Sequence, residues 1–226
     1  MFAIIQAAGW PVWALLITSV IALALIIDRL VALRASKVIP AGLLNEVLGH
    51  YAEHGVSPEY LREVAMGSPL GQVFAAGLRN HAVSRAAMKE TIEEEGRTVA
   101  HDLGRFVGAL GTIASIAPLM GLFGTVIGMI EIFGSQSPAG TNPQELAHGI
   151  SVALYNTAFG LIIAVPSMIF FRYYRGLIDD FVVEMERQAA RLIDAVQGGR
   201  RARQGSAGAA AAAGEAAGGK ATGRRG

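Results

Sequence analysis

Seven polar side chains lie inside otherwise apolar stretches and could do chemistry there: Thr112, Ser115, Thr125, Glu131, Ser151, Asn156 and Thr157. The stretch "GLFGTVIGMIEIFG", residues 121–134, carries Thr125 and Glu131, and "ALYNTAFGLIIAVPSMIFF" carries Thr157. A hydroxyl donates and accepts hydrogen bonds, and a carboxylate can take up a proton. No Lys or Arg lies in residues 106–171, so these stretches supply no basic partner for Glu131. The pattern predicts a wet cavity, or polar groups of another chain, beside these side chains.

The rest of the sequence contains no catalytic or metal-binding pattern. The chain has no cysteine, and His50 and His54, four residues apart, would make only an incomplete metal site. There is no glycine-rich phosphate motif and no serine triad context. The net charge of +1 gives no overall field that would favour nucleic acid. We therefore expect no enzymatic activity, no metal, no cofactor and no nucleic-acid partner.

Three apolar blocks must position the polar residues. They cover residues 10–28, 106–133 and 146–171, and each is long enough to cross a hydrocarbon core of ~30 Å. Pro118 and Pro166 lie inside the second and third blocks, which membrane helices tolerate when neighbouring groups satisfy the released carbonyls. The fold class predicted is an all-α integral membrane protein with three transmembrane helices.

The distribution of basic residues predicts the orientation. Every Lys and Arg falls in residues 29–105 or from Arg172 onward. Because positive charge stays on the cytoplasmic side, residues 29–105 form a cytoplasmic helical segment. Residues 1–9 and the loop 134–145 then lie outside, and the C-terminus lies inside.

Helices are predicted to continue from the membrane into the cytoplasm. Ser57 and Ser68, each followed by proline, are expected to cap two short helices. From Ser84 a stripe of apolar residues leads into the second span without an intervening proline: Met88, Ile92, Val99, Leu103 and Phe106. A second stripe follows the third span within residues 172–197: Ile178, Phe181, Met185, Leu192 and Val196. Two such stripes need each other or neighbouring subunits.

The final segment, residues 198–226, differs in composition from everything before it. It is rich in Gly, Ala and Arg and has no large apolar side chain, so it cannot bury a core. We expect it to be a disordered, solvated tail.

Small residues are dense in the second and third blocks. Gly124 and Gly128 form a small-xxx-small pair, which lets helices approach closely. We assign Gly124, Gly128, Gly160 and Pro166 to helix packing, either within one chain or between adjacent subunits.

The same two blocks resemble a known family. "APLMGLFGTVIGMI" and "GISVALYNTAFGLIIAVP" are similar to the second and third membrane helices of the ExbB/TolQ/MotA proton channels, and most of all to those of ExbB and TolQ. Spacing, order and the cytoplasmic insert agree over residues 5–197, and most strongly over 105–175.

The resemblance implies a non-enzymatic motor in the bacterial inner membrane. In that family, five ExbB-like subunits enclose the single membrane helices of two ExbD-like chains, and proton flow drives a movement that is passed to TonB. TonB then energises uptake across the outer membrane. The partners that the resemblance implies are other copies of this chain, in a pentamer as in the family's pattern, together with an ExbD-like protein, a TonB-like protein and membrane lipid. The family's pore threonines fall on Thr125 and Thr157.

One position departs from the family's pattern. Many ExbB and TolQ proteins carry a glutamate where this chain has Val152. At a rise of 1.5 Å per residue, Glu131 lies about 9 Å outward of Thr125, and Val152 about 7.5 Å outward of Thr157. If the threonines are level, Glu131 can replace the missing glutamate, although six residues rotate it about 120° from Thr125. The alternative is a carboxylate wetted at the membrane boundary.

Two other functions remain open at this point. A TolQ-like subunit of the Tol-Pal envelope system would use the same physics with different partners. A non-conducting membrane scaffold would use the polar residues only to pack helices.

Overall fold

The computed structural model describes residues 10–134 and 143–222, with side chains described for 10–134, 143–144 and 146–199. Over this part of the chain the backbone is helical, with no strand. The helices are α1 (Pro11–Ala32), α2 (Ala35–Val38), α3 (Leu43–His54), α4 (Pro58–Gly67), α5 (Pro69–Arg79), α6 (Arg85–Gly134) and α7 (Pro143–Thr222). Three of them, α1, α6 and α7, are long and apolar enough to cross a membrane. The all-α prediction with three spans is confirmed.

The bounds of the spans differ in detail from those expected. The first span begins at Pro11 and continues to Ala32, four residues beyond the predicted end at 28. Helix α7 begins at Pro143, so only residues 135–142 of the expected loop separate α6 from α7, and they lie outside the described residues. Proline suits the first turn of a helix because the N–H that it lacks would have no helical partner there.

Serine caps and prolines set the starts of the short helices. The Ser57 hydroxyl accepts the N–H of Tyr60, and the Ser68 hydroxyl accepts the N–H of Gly71, at 3.2 and 3.0 Å. In each case proline occupies the next position. Both predicted caps are confirmed. Such caps each contribute about 1 kcal/mol, because they satisfy N–H groups that have no partner within the helix.

The second span is part of one long helix, as the absence of proline after Ser84 predicts. Helix α6 runs for 50 residues, and the Ser84 hydroxyl accepts the N–H of Ala87 at its start. The predicted stripe is buried at Met88, Ile92 and Val99, half-buried at Leu103, and exposed at Phe106, where the exposed fraction is 42%. With 3.6 residues per turn the buried stripe passes instead to Val107.

The third span is also part of one long helix, which includes Pro166. All five residues of its predicted cytoplasmic stripe are buried: Ile178, Phe181, Met185, Leu192 and Val196. The helix continues to Thr222, so the backbone of residues 198–222 is helical where the composition indicates disorder. Alanine, the strongest helix former, is abundant there and accounts for this difference. Residues 223–226 lie outside the described part of the chain.

The chain divides into two compact units, and α6 and α7 contribute to both. The first comprises the described residues of Met1–Arg34 and His101–Asp180 and holds the three spans. Its spans expose many large apolar side chains, such as Ile17 at 62%, Leu119 at 63% and Ile162 at 66%. Lipid covers such surfaces in a membrane protein.

The second unit comprises Ala35–Ala100 and the described residues of Phe181–Gly226. Its core is formed by α5 together with the stripes on α6 and α7: Leu70, Val73, Phe74, Leu78, Met88 and Leu192 are each at most 2% exposed. Here the amphipathic stripes predicted from the sequence bury one another within a single chain.

Candidate functional site

The spans of α6 and α7 approach each other through glycine. A Cβ added at Gly160 would lie 2.6 Å from the backbone oxygen of Ala117 and 3.1 Å from the Cα of Gly121. A Cβ added at Gly121 would lie 2.7 Å from the backbone oxygen of Asn156. The two backbones are therefore in direct contact here, which only glycine permits.

The predicted packing glycines lie on the same seam. A Cβ at Gly124 would be 2.9 Å from the Cβ of Asn156, and one at Gly128 would be 3.1 Å from the Cβ of Ala153. The structure thus places Gly124, Gly128 and Gly160 between two spans of one chain. Pro166 is on an exposed face, so its role in packing stays a prediction about a neighbouring chain.

The close approach brings the two candidate pore threonines together. The Thr125 and Thr157 hydroxyl oxygens are 2.5 Å apart. The Thr125 oxygen is also 3.2 Å from the carbonyl oxygen of Gly121, on its own helix, and 3.2 Å from that of Ala153, on α7. The condition that the two threonines lie at the same level is therefore met.

The hydroxyl pair has two hydrogen-bonding arrangements, because each hydroxyl carries one hydrogen. In the first, Thr157 donates to Thr125, and Thr125 donates to the carbonyl oxygen of Gly121 or Ala153. In the second, Thr125 donates to Thr157. A pair that can reverse its polarity can orient a water molecule or a carboxylic acid beside it. It cannot hold a net proton itself, so proton transport here requires a titratable group from elsewhere.

Glu131 is not part of the hydroxyl pair. An added Cβ at Gly149 would meet the side chain of Ile132 at 2.7 Å, and Gly128 faces Ala153. These contacts put Glu131 at the level of residues between 149 and 153, which includes Val152. Glu131 is exposed, whereas Thr125 is half-buried. The exposure agrees with the rotation of about 120° expected between the two side chains on one helix.

Other hydroxyls of the spans bond to their own helix. Those of Thr112, Ser115 and Ser151 each donate to the carbonyl four residues earlier, at 3.2, 3.0 and 2.9 Å, and all three residues are exposed. This is the usual arrangement for a lone hydroxyl in a membrane helix. Thr125 differs from them because it also reaches the neighbouring span.

Two features of the first unit, which holds the three spans and is called the membrane unit below, were not identified from the sequence. The carbonyl oxygen of Ala153 accepts from Thr125, and no side-chain pattern can identify a backbone acceptor. Tyr174 is fully buried, and its hydroxyl donates to the carbonyl oxygen of Ile26 at 2.8 Å, which joins α7 to α1. Its position three residues after Phe171, where the apolar block ends, was the available signal, since tyrosine is common at such boundaries.

The two histidines considered as metal ligands stack on each other, and one of them also stacks on a tyrosine ring. The ring of His50 stacks on that of Tyr60 at 3.6 Å and on that of His54 at 5.0 Å. Among the described residues, no group of three or more potential ligands converges on one point.

The sequence matches the MotA/TolQ/ExbB proton channel family over residues 65–187, more than half of the chain. It is 32% identical over 170 residues to the biopolymer transport protein exbB1 of Vibrio cholerae, covering 72% of this chain and 74% of that protein. It is 32% identical over 146 residues to the putative biopolymer transport protein ExbB homolog of Methanothermobacter thermautotrophicus, where the match covers 64% of this chain but only 50% of the relative.

A relative with a different name also matches. The Tol-Pal system protein TolQ of Haemophilus influenzae is 37% identical over 92 residues, covering 35% of this chain and 40% of that protein. This match is shorter than the match to the Vibrio cholerae protein.

Proposed function

Because the chain belongs to the MotA/TolQ/ExbB proton channel family, we propose that it is an ExbB-like subunit of a proton-driven motor in the bacterial inner membrane. The family is one of transport proteins and not of enzymes. In the proposed assembly, this chain and an ExbD-like single-span protein use the proton motive force to energise TonB-dependent transport across the outer membrane. The chain would form a homo-oligomer, with five copies as in the family's pattern.

The observation that carries this proposal is the hydroxyl pair of Thr125 and Thr157. Two spans without Lys or Arg in residues 106–171 hold these hydroxyls 2.5 Å apart at a seam that glycine keeps narrow. A membrane scaffold does not need such a pair, because each hydroxyl could bond to its own helix as Thr112 does. In a proton channel the pair would orient the carboxylic acid of an ExbD-like helix.

The partner carboxyl would be the group that carries the proton. When it is protonated it can donate to one of the hydroxyls, and when it is ionised it can accept from one. The reversible hydroxyl pair satisfies both states without moving the helices. In this mechanism the threonines position the titrating group and provide no proton of their own.

Substitution of the threonines tests the proposal. Thr157→Val and Thr125→Val keep the shape of the side chain and remove the hydroxyl. We expect each to reduce proton flux at least tenfold in liposomes that contain this chain and its ExbD-like partner. Thr112→Val is the matched control, since within the described part of the chain the Thr112 hydroxyl bonds only to the carbonyl oxygen of Gly108. Equal flux in Thr157→Val and Thr112→Val, with the oligomer intact in both, would contradict the proposal.

Glu131 has a separate proposed role at the outer end of the pathway. It is exposed and lies near the level of Val152, the position at which the family resemblance implies a glutamate, so it can supply the missing carboxyl. On this hypothesis Glu131→Gln lowers the uptake of a TonB-dependent substrate in cells, and adding Val152→Glu partly restores it. If cells with the Glu131→Gln variant take up the substrate at the wild-type rate at an equal protein level, Glu131 is a hydrated residue at the membrane boundary.

The orientation follows from the distribution of basic residues and has its own test. A reporter that is active only in the periplasm should give signal when fused within residues 136–142 and none when fused after Arg200. The reverse pattern of signals would show that the protein has the opposite orientation in the membrane. The side of the membrane on which the partner binds would then change as well.

The second candidate is a TolQ-like subunit, which the match to the Haemophilus influenzae protein favours. Copurification separates the two: an ExbD-like and TonB-like set of partners supports the first, and a Tol-Pal set supports the second. A non-conducting scaffold would show no flux with either set.

A further inference from the structure

A basic cavity lies in the second unit. It has a volume of about 470 Å³ and lies where the start of α4 meets the end of α5. Its lining consists of Val56, Pro58, Leu61, Arg62, Arg79 and His81. Three of these six residues carry a cationic or titratable basic group, and none carries a carboxylate.

Local structure fixes the backbone at the cavity, from which the exposed side chains of Arg62 and Arg79 extend. Arg62 follows Pro58 by one helical turn on α4, whose start Ser57 caps. Arg79 is the last residue of α5, and the turn after it is held by Asn80, whose side-chain N–H donates to the Thr91 hydroxyl at 2.7 Å. The same turn carries His81 into the cavity wall.

The His81 ring has a defined orientation. Its Nδ1 is 2.8 Å from the carbonyl oxygen of Leu78, so Nδ1 carries a hydrogen and donates it. The ring of Tyr51 meets it edge to face at 5.9 Å. An oriented imidazole is a suitable wall for a small polar ligand.

The two arginines have no counterion within the described residues. Arg85 and Arg187 of the same unit are each paired with a carboxylate, at 2.7 Å in both cases. No ion pair of this kind joins Arg62 or Arg79 to any described carboxylate. Glu59 and Glu63 are the nearest acids along α4, but neither lines the cavity. Two guanidinium groups on one cavity without an acid favour an anion between them.

We propose that this cavity binds a phosphate group. A guanidinium presents its N–H groups in a planar fork that matches phosphate oxygens, and the two forks together offer more donors than one carboxylate could use. Small-molecule sites have volumes of roughly 300–1,000 Å³, so 470 Å³ accommodates a phosphate attached to a small organic group. The group can belong to a soluble phosphorylated molecule or to the headgroup of a phospholipid. The inference is independent of the proton pathway.

Titration of the full chain with inorganic phosphate tests the site. The protein is purified in a maltoside detergent, which contains no phosphate, and binding is measured by calorimetry at low ionic strength. A lost charge-assisted hydrogen bond to one guanidinium corresponds to about a tenfold loss of affinity or more. We therefore expect Arg62→Gln and Arg79→Gln each to weaken binding at least tenfold. The matched control is Arg97→Gln, an exposed arginine of the same unit outside this cavity, and it should bind as the wild type does.

A second arm identifies the source of the phosphate. Short-chain phosphatidylglycerol and phosphatidylcholine, kept below their critical micelle concentrations, are titrated into the detergent-solubilised chain and the same three variants. If inorganic phosphate binds with the expected ranking of variants and phosphatidylglycerol does not bind, the ligand is a soluble phosphate. If only phosphatidylglycerol shows the dependence on Arg62 and Arg79, the ligand is a lipid headgroup. Absence of both kinds of binding, or equal loss in Arg97→Gln, would overturn the proposal.

Discussion

Gly160→Ala is the sharpest test of how the second and third spans pack. The added Cβ would lie 2.6 Å from the carbonyl oxygen of Ala117, a backbone atom that cannot rotate away. An ordinary contact between a carbon and a carbonyl oxygen is about 3.3 Å. The overlap is therefore roughly 0.7 Å, and the two helices must separate by about this amount at the level of Gly160.

The size of the effect follows from that separation. Overpacking of a well-packed seam costs about 1–3 kcal/mol. The bond from Thr125 to the carbonyl oxygen of Ala153, at 3.2 Å, would lengthen past ~3.5 Å, which costs about 1 kcal/mol more. The better helix propensity of alanine offsets about 1 kcal/mol. We expect a net loss of about 1–3 kcal/mol in the free energy of unfolding.

Unfolding in mixed detergent and SDS micelles, followed by circular dichroism, measures this loss. Two further substitutions calibrate it. Gly108→Ala places a Cβ with nothing within 4 Å in the chain, and Gly128→Ala places one 3.1 Å from a side-chain carbon of Ala153. The expected order of stability is Gly108→Ala first, Gly128→Ala second and Gly160→Ala last. If Gly160→Ala unfolds at the same SDS fraction as Gly108→Ala, the direct backbone contact is refuted.

Three further changes test other parts of the fold. Tyr174→Phe removes the hydrogen bond to the carbonyl oxygen of Ile26 and should lower the stability of the membrane unit by about 1 kcal/mol in the same micelle assay; an unchanged unfolding curve would mean that this bond has no net value. Ser68→Ala removes the cap of α5, and a loss of about 1 kcal/mol in stability is expected, whereas Ser68→Asp, which can still cap, should retain it. Deletion of residues 199–226 should leave the oligomer and its proton flux unchanged, because this segment has no large apolar side chain to pack; loss of the oligomer on truncation would identify a docking role.

The three spans were predictable from the sequence because their physical signals are local. A helix must satisfy its own backbone in lipid, so about 20 consecutive apolar residues identify a span without any knowledge of its neighbours. The caps at Ser57 and Ser68 were predictable for the same reason, since a cap involves residues only three apart. The long continuous helices followed from the absence of proline between Ser84 and the second span.

The structure was less predictable in two places, the backbone of residues 198–222 and the end of the buried stripe on α6. Low hydrophobicity indicates that a segment buries no core, but it does not prevent a helix where alanine is abundant. Phe106 fitted the periodic pattern, yet α6 turns it toward the exposed side and buries Val107. Residues spaced seven apart gradually rotate around a straight helix. The spacing alone therefore does not identify the last buried residue of the stripe.

The sequence by itself determined that two threonines lie in adjacent spans, that no cation accompanies them, and that glycines flank them. Only the tertiary structure decided that the hydroxyls of Thr125 and Thr157 meet and that the Ala153 carbonyl joins them. It also assigned Glu131 to a different, exposed surface of α6. The physical reason is that residue types and helical periodicity are properties of one helix. The register and rotation between two helices are set by which backbone atoms can approach, here at Gly160 and its neighbours.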